Sequence, residues 1–370
     1  MLRRIRHFLG GRKPPFFRLS CVLFALFPLQ SLAEDWHPYF IFDSFSYSET
    51  VSIRAAFNEW ETQDFDRGKR QWTSNWIEAG IRTGDWSYGL VQRFDYALEF
   101  TEDASELYWQ VTNKRDLTPG QHFDVEVNAQ AIHATGLRVA YYFDALDSLQ
   151  GVLGLTLLRA NYLIDGQLQG QADALNDSDF DYAAYLNWTY TEDRLLDRVV
   201  NAPVGYGAAL DFQLRYRWQA HAIAWEVKDL PAWIYWHKSP FTEAIGRSDR
   251  KHYDERGYVS IEPAVSGREA FYSSYRQTLS PRMRLGWQYY AEGWVQPLAE
   301  IRYQYEHALY GAGVALRWET LPQLDIKYWP LNHSLEIQAR QAGQWTLGLM
   351  ADHYDRRKVR TLGLVITWGL

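Results

Sequence analysis

The sequence predicts an all-β protein: a single transmembrane antiparallel up-and-down β-barrel of about 14–16 strands. Three observations predict it. Large apolar residues alternate with polar ones over long stretches, the period-two signature of strands with one apolar face. Aromatic residues make up 16% of the chain, with 17 Trp, 25 Tyr and 18 Phe, the types that collect where a wall meets the two faces of a membrane. No apolar run is long enough for a membrane helix, and the mean hydropathy is −0.39. A barrel wall produces that average, because only every second residue faces lipid.

The first residues read as a leader. Arg3, Arg4, Arg6, Arg12, Lys13 and Arg18 precede an apolar run from Leu19 to Leu29, and Ser31-Leu32-Ala33 supplies the small residues a signal peptidase reads. That run is shorter than the roughly 20 residues a spanning helix needs. The expected organisation is a signal peptide over 1–33, cleaved after Ala33, and a barrel over 34–370. Removing 1–33 takes six of the 38 basic side chains and none of the 45 acidic ones, so the formal charge moves from −7 to −13. Nucleic acid is not an expected partner for such a chain. The single cysteine, Cys21, lies in the leader, which leaves no disulfide or thiol chemistry.

Along the chain, the aromatic stretch 36–48 suits a first strand or an edge cover. Val51, Ile53, Ala55 and Phe57 alternate and predict a strand, as do Ile77, Ala79 and Ile81. Gly84-Asp85 turns into the cleanest case: Trp86, Tyr88, Leu90, Phe94, Tyr96, Leu98 and Phe100 on one face, Arg93, Asp95 and Glu99 on the other. Phe123 to Ala131 alternates, and Ala134-Thr135-Gly136 predicts a turn into Leu137, Val139, Tyr141 and Phe143. Strands follow from Leu153 to about Gly170, from Tyr182 to Thr191 and from Tyr206 to Trp218. Gln219-Ala220 turns into Ile223, Trp225 and Val227. Residues 238–256 are charged and aperiodic, and predict a long external loop. Short alternating runs then fill the last third, through Met283–Tyr289, Val295–Tyr303, Tyr310–Trp318, Leu324–Tyr328, Leu335–Ala339 and Leu347–Ala351. They read as a meander of neighbouring hairpins.

The chain closes on Thr361-Leu362-Gly363-Leu364-Val365-Ile366-Thr367-Trp368-Gly369-Leu370, with large apolar residues at every even position. This stretch resembles the C-terminal assembly signal of bacterial outer-membrane β-barrel proteins, departing from it at Leu370, where that group has an aromatic. The resemblance implies a Gram-negative outer membrane, its lipid as surroundings, and the barrel-assembly machinery as a partner during biogenesis. A second likeness covers residues 205–236. Gly205-Tyr206-Gly207-Ala208-Ala209-Leu210-Asp211, followed by Val227-Lys228-Asp229-Leu230, is similar to a hairpin of the FadL-like outer-membrane transporters. The amino-terminal plug helix of that group is not apparent after Ala33. The likeness implies transport.

If the apolar faces look outward, the alternate residues line a lumen. Arg93, Asp95, Asp211, Arg215, Arg217, Arg282, Arg284, Glu300, Arg302 and Arg317 are the expected solute path, with the arginines predicting a bias toward anions. Both signs of charge occur, so many of these groups should pair or sit in water, because an unpaired buried charge is strongly unfavourable. The expected function is a channel or transport protein for a small polar or amphiphilic solute. Two alternatives are a barrel enzyme acting on lipid or envelope polymer, and a non-catalytic partner in surface-polymer export or envelope assembly. Asn332-His333-Ser334 reads as a turn rather than a catalytic pair. Asp352 and His353 are adjacent and should point to opposite faces. Asp177, Asp179 and Asp181 lack the glycine and closing glutamate of a calcium loop. No metal spacing and no cofactor motif is present.

Overall fold

The computed structural model of the chain describes residues 36–192, 199–248, 251–253, 259–261, 264–290 and 292–369. The leader over 1–33 and Leu370 lie outside the described residues. In chain order the strands begin with β1 (His37–Ser48), β2 (Arg70–Thr83), β3 (Trp86–Phe100), β4 (His122–Leu146) and β5 (Leu149–Ala174). Then come β6 (Phe180–Tyr190), β7 (Gly205–Trp218), β8 (His221–Lys228) and β9 (Ala232–Arg247), and a separate small hairpin, β10 (Lys251–Tyr253) with β11 (Val259–Ile261). The series continues with β12 (Ala264–Thr278), β13 (Arg282–Tyr289), β14 (Val295–Gln304) and β15 (His307–Leu316). It ends with β16 (Gln323–Trp329), β17 (Ser334–Gln341), β18 (Trp345–Ala351) and β19 (Thr361–Trp368). Among the described residues two helices, α1 (Ile53–Ala56) and α2 (Glu102–Thr112), lie in connections.

The sheet closes because β1 pairs with both β2 and β19. From β1 the hydrogen-bonded ring runs through β2, β3, β4 and β5 to β7, β8 and β13, then through each strand to β19. Among the described residues, fourteen strands therefore close it, all antiparallel, within the expected range. On one side the wall stands taller. There β6, β9 and β12 continue the staves of β7, β8 and β13 upward: β6 takes over from β7 along β5, β9 pairs with β6, and β12 pairs with β9. Full closure matters in lipid, where no water is available to satisfy a free strand edge.

Connections at one rim, here called lower, are short. Gly84 stands there with φ +55°, a left-handed turn position that glycine adopts without strain. The upper rim carries α1, α2 and the longer connections. The outer face of the wall is an apolar band, with Leu90, Leu137, Leu157, Ile301, Leu347 and Leu349 all exposed. Trp86, Tyr141, Trp218, Trp287, Trp318 and Trp368 form an aromatic belt along its lower margin, and Tyr206, Tyr235, Tyr310 and Tyr328 stand near its upper one. An exposed apolar surface this continuous has lipid as its natural solvent.

Four local expectations are corrected. Val51 to Phe57 is not a strand; Ser52 caps the single turn α1, its hydroxyl accepting from the Ala55 N–H at 3.2 Å, and Val51, Ala55 and Ala56 pack with Trp60. Ala134–Gly136 is not a turn. β4 runs straight through it, because β5 pairs on both sides with one register shift at His133/Ala134. Residues 239–247 of the expected loop are strand, each facing a partner on β12, while 254–258 lie outside the described residues. Finally, Phe100, Phe123 and Val127 share the outward face yet do not meet lipid. Residues of α1, α2 and the segment around Trp60 cover them, which places the upper parts of β3 to β6 above the band.

Candidate functional site

Inside the wall, charged side chains meet at mid-height in a girdle of ion pairs. Its first group is built on Arg93 of β3. That guanidinium pairs with Asp95 and, through Nη1 at 2.7 Å and Nη2 at 3.0 Å, with Asp229. Arg282 reaches the same Asp229 at 2.9 Å and Asp95 at 3.7 Å. Asp229 follows β8 with φ +64°, a left-handed conformation Asp tolerates better than most residues. It breaks the alternation, so Lys228 and Asp229 both contact lumen groups: Lys228 Nζ lies 3.1 Å from Glu226 and 5.0 Å from the Trp76 ring.

A second group runs along the wall itself. Arg138 of β4 bonds Asp211 of β7 through Nε at 3.1 Å and Glu78 of β2 through Nη1 at 3.3 Å. The Tyr39 hydroxyl donates to Glu78 at 2.6 Å and the Trp76 indole N–H at 3.0 Å. Each pair must pass over an intervening strand, and glycine makes the passage. A Cβ on Gly154 would stand 2.6 Å from Arg138 Nη2, and one on Gly89 would stand 2.6 Å from the Tyr39 hydroxyl. The third group joins β14, β16 and β17. Arg302 pairs with Glu300 at 2.7 Å and Glu336 at 2.8 Å, Lys327 pairs with both carboxylates, and Trp329 donates to Glu336 at 3.0 Å.

One further ion pair joins strands on directly opposite walls. Arg284 of β13 donates to both carboxylate oxygens of Asp43 on β1, at 2.7 and 3.0 Å. Between these pairs the free space is small: a cavity of about 40 Å³ beside Asp43, Arg282, Arg284 and Arg302, and voids of about 10 Å³ on either side. Above the girdle, between the tall wall and the β14–β15 turn, lies a vestibule of about 390 Å³. Its floor shares Gln130, Ser280 and Tyr305 with the void that Arg93 and Asp95 line.

Of the residues expected on the solute path, Arg93, Asp95, Asp211, Arg282, Arg284, Glu300 and Arg302 are brought into this girdle, each in an ion pair. Arg215 and Arg217 lie exposed near the lower end of β7. Arg317 lies in the lower connection after β15, its N–H donating to the Trp294 carbonyl. Those three do not join the arc. Sequence reasoning missed Asp43, Arg138 and Asp229. Alternation around Arg138 was a usable signal, with Leu137 and Val139 exposed on the outer face; for Asp229 the left-handed backbone hides it. Asp352 and His353 shape an upper loop instead of a reactive pair: Asp352 accepts from the Arg360 and Thr361 N–H groups, and His353 Nδ1 from that of Asp355.

No family model and no curated relative matches the chain. Among solved structures, the toluene transporter TbuX of Ralstonia pickettii aligns over 91% of this chain and 89% of its own, at 7% identity and a TM-score of 0.29. The Pseudomonas aeruginosa outer-membrane protein opdK aligns over 92% and 100%, at 10% identity and a TM-score of 0.14. OccK5 of the same organism aligns over 90% and 98%, at 6% identity and 0.14. Likenesses this slight carry no argument about family or function, and the barrel stands on its own hydrogen-bond ladder.

Proposed function

We propose that the chain is an outer-membrane transport barrel that admits a small polar solute through the upper vestibule and passes it across the ion-paired girdle. The observation that supports this reading is the series of voids that descends from the vestibule past Asp95 and Arg282 to the cavity beside Asp43 and Arg284 at mid-height. Apolar side chains do fill part of the interior, around Trp72 and Trp329 on one side and Trp236 on the other. Such packing often matches or exceeds buried ion pairs in stability, so the girdle is not needed for stability alone. Paired charges, by contrast, give a polar solute successive partners that exchange as it moves. The narrow voids limit the solute to a slender molecule moving with partial loss of its water.

The reading is tested with the full chain reconstituted into liposomes. Small polar solutes should enter faster than into protein-free vesicles, with a steep cut-off in solute size. Uptake equal to that of empty vesicles for every small solute would overturn it.

A further inference from the structure

The vestibule has a charge character of its own. Glu99 of β3, Asp165 of β5 and Glu306 in the β14–β15 turn line it, and among the described residues no lysine or arginine does. Arg70, the cross-strand neighbour of Glu99, ion-pairs with Glu49 and is not part of the lining. Burial and the nearby Glu306 push the Glu99 carboxyl up, against the pull of Arg70. On the opposite side the rings of Phe241, Tyr272 and Tyr275 form a stack, with centroids 4.1 and 5.5 Å apart and planes within 22°. The Tyr272 and Tyr275 rings, with Tyr305, face the cavity. The lower void that shares its floor holds a second feature: Asp95 is 5% exposed, and its Oδ1 accepts no hydrogen bond.

We propose that this vestibule binds a protonated organic amine. Glu99 and Glu306 repel one another across the chamber, with Arg70 offsetting only part of that repulsion. Asp165 adds a third carboxyl to the lining, and a bound ammonium relieves the repulsion. Tyrosine rings attract a cation through their faces and their hydroxyls add acceptors for its N–H groups. Deeper in, at the entrance to the girdle, the Asp95 oxygen makes no hydrogen bond and faces Arg282 at 3.7 Å. The acidic chamber reverses the anion bias expected from the arginines, because those in the girdle are already held by carboxylates. The inference names the solute class for the transport reading and rests on it for purpose, though binding itself can be measured without a membrane.

The experiment is calorimetric titration of the purified, detergent-solubilised full chain near neutral pH with three probes: putrescine, the dianion succinate and neutral glycerol. Putrescine should bind saturably and weaken with added salt, while succinate and glycerol should not saturate. Glu99→Gln, Asp165→Asn and Glu306→Gln together should weaken putrescine binding by about tenfold or more. Unchanged heat-modifiable migration shows that the triple variant is folded; Glu306→Gln alone, in an exposed turn, should weaken binding about two- to threefold and serves if the triple variant fails. Absent putrescine saturation, equal binding of succinate, or affinity indifferent to these substitutions would overturn the proposal. Amine binding without vesicle uptake would overturn only the transport reading, and uptake without amine binding only this one.

Discussion

Asp43 and Arg284 stand on opposite walls, seven places apart in a ring of fourteen strands, and their side chains meet at 2.7 Å. An aspartate and an arginine laid end to end span little more than the about 10 Å that separates packed sheets. The barrel is therefore flattened at this level, so that two walls approach as in a sandwich while charge fills the seam. The surrounding pairs follow from that approach, because no girdle charge is far from a partner on a facing or neighbouring stave.

Such a bridge couples two walls, and a mutant cycle should show it. Arg284→Gln alone leaves Asp43 without its main partner and should destabilise the barrel by about 3 kcal/mol. Asp43→Asn together with Arg284→Gln should recover much of that loss, since neither group then carries an unpaired charge. Urea titration in lipid vesicles measures both. Strictly additive losses would mean the two residues are not coupled.

The outward face makes a second prediction. Leu155 is 42% exposed in the apolar band, so Leu155→Arg should cost about 2–4 kcal/mol of stability in the membrane. Gln167→Arg, facing the wet vestibule from the same strand, should be close to neutral. Equal effects at both positions would refute the assignment of the two faces.

Asp165 lies on β5 above the apolar band, where α2 and the Trp60 segment cover the outer face. Burial pushes its carboxyl up to about 6, against a hydrogen bond from Tyr275 that pulls it down. The folded state therefore holds the proton more tightly than the unfolded chain does. Stability is lost as pH rises from the ordinary carboxylate range through about 6, and the full cost is present at neutral pH. Asp165→Asn removes that cost, so it should stabilise the protein by roughly 1–3 kcal/mol near pH 7 and change nothing near pH 4. Thermal melts across that range check it; a variant less stable than the parent at neutral pH would show that the ionised carboxylate is held favourably.

Much of the wall was legible because a strand's period of two is a local property. Trp86 to Phe100 alternates except at Val91 and Gln92, and is one strand to the residue. The helix α2 was not read, although Thr101 before Glu102 and Asp103 is an N-cap followed by an acidic first turn. Its role is tertiary: it covers a face that alternation alone assigns to lipid. The extension of β9 was hidden by Pro240 and the charges after it, and only pairing with β12 makes it a strand. The inward residues were largely identifiable, but their meetings were not. Which of Asp95, Asp229 and Glu226 answers which arginine depends on flattening and stagger, and neither has a local sequence signal. The acidic vestibule escaped for the same reason, since Glu99, Asp165 and Glu306 come together from three distant segments.

In the transport reading, the girdle of ion pairs, with the Asp43–Arg284 bridge across its middle, sets the width of the solute path. Single-channel conductance of the full chain in planar bilayers, compared with that of the Asp43→Asn, Arg284→Gln double variant, tests it most directly. The parent should conduct in small steps, and the double variant in distinctly larger ones, because the bridge is gone while the wall and the other pairs remain. Identical conductance in the two proteins, or none in either, would contradict the account and leave the paired charges as a filling that merely holds the wall together.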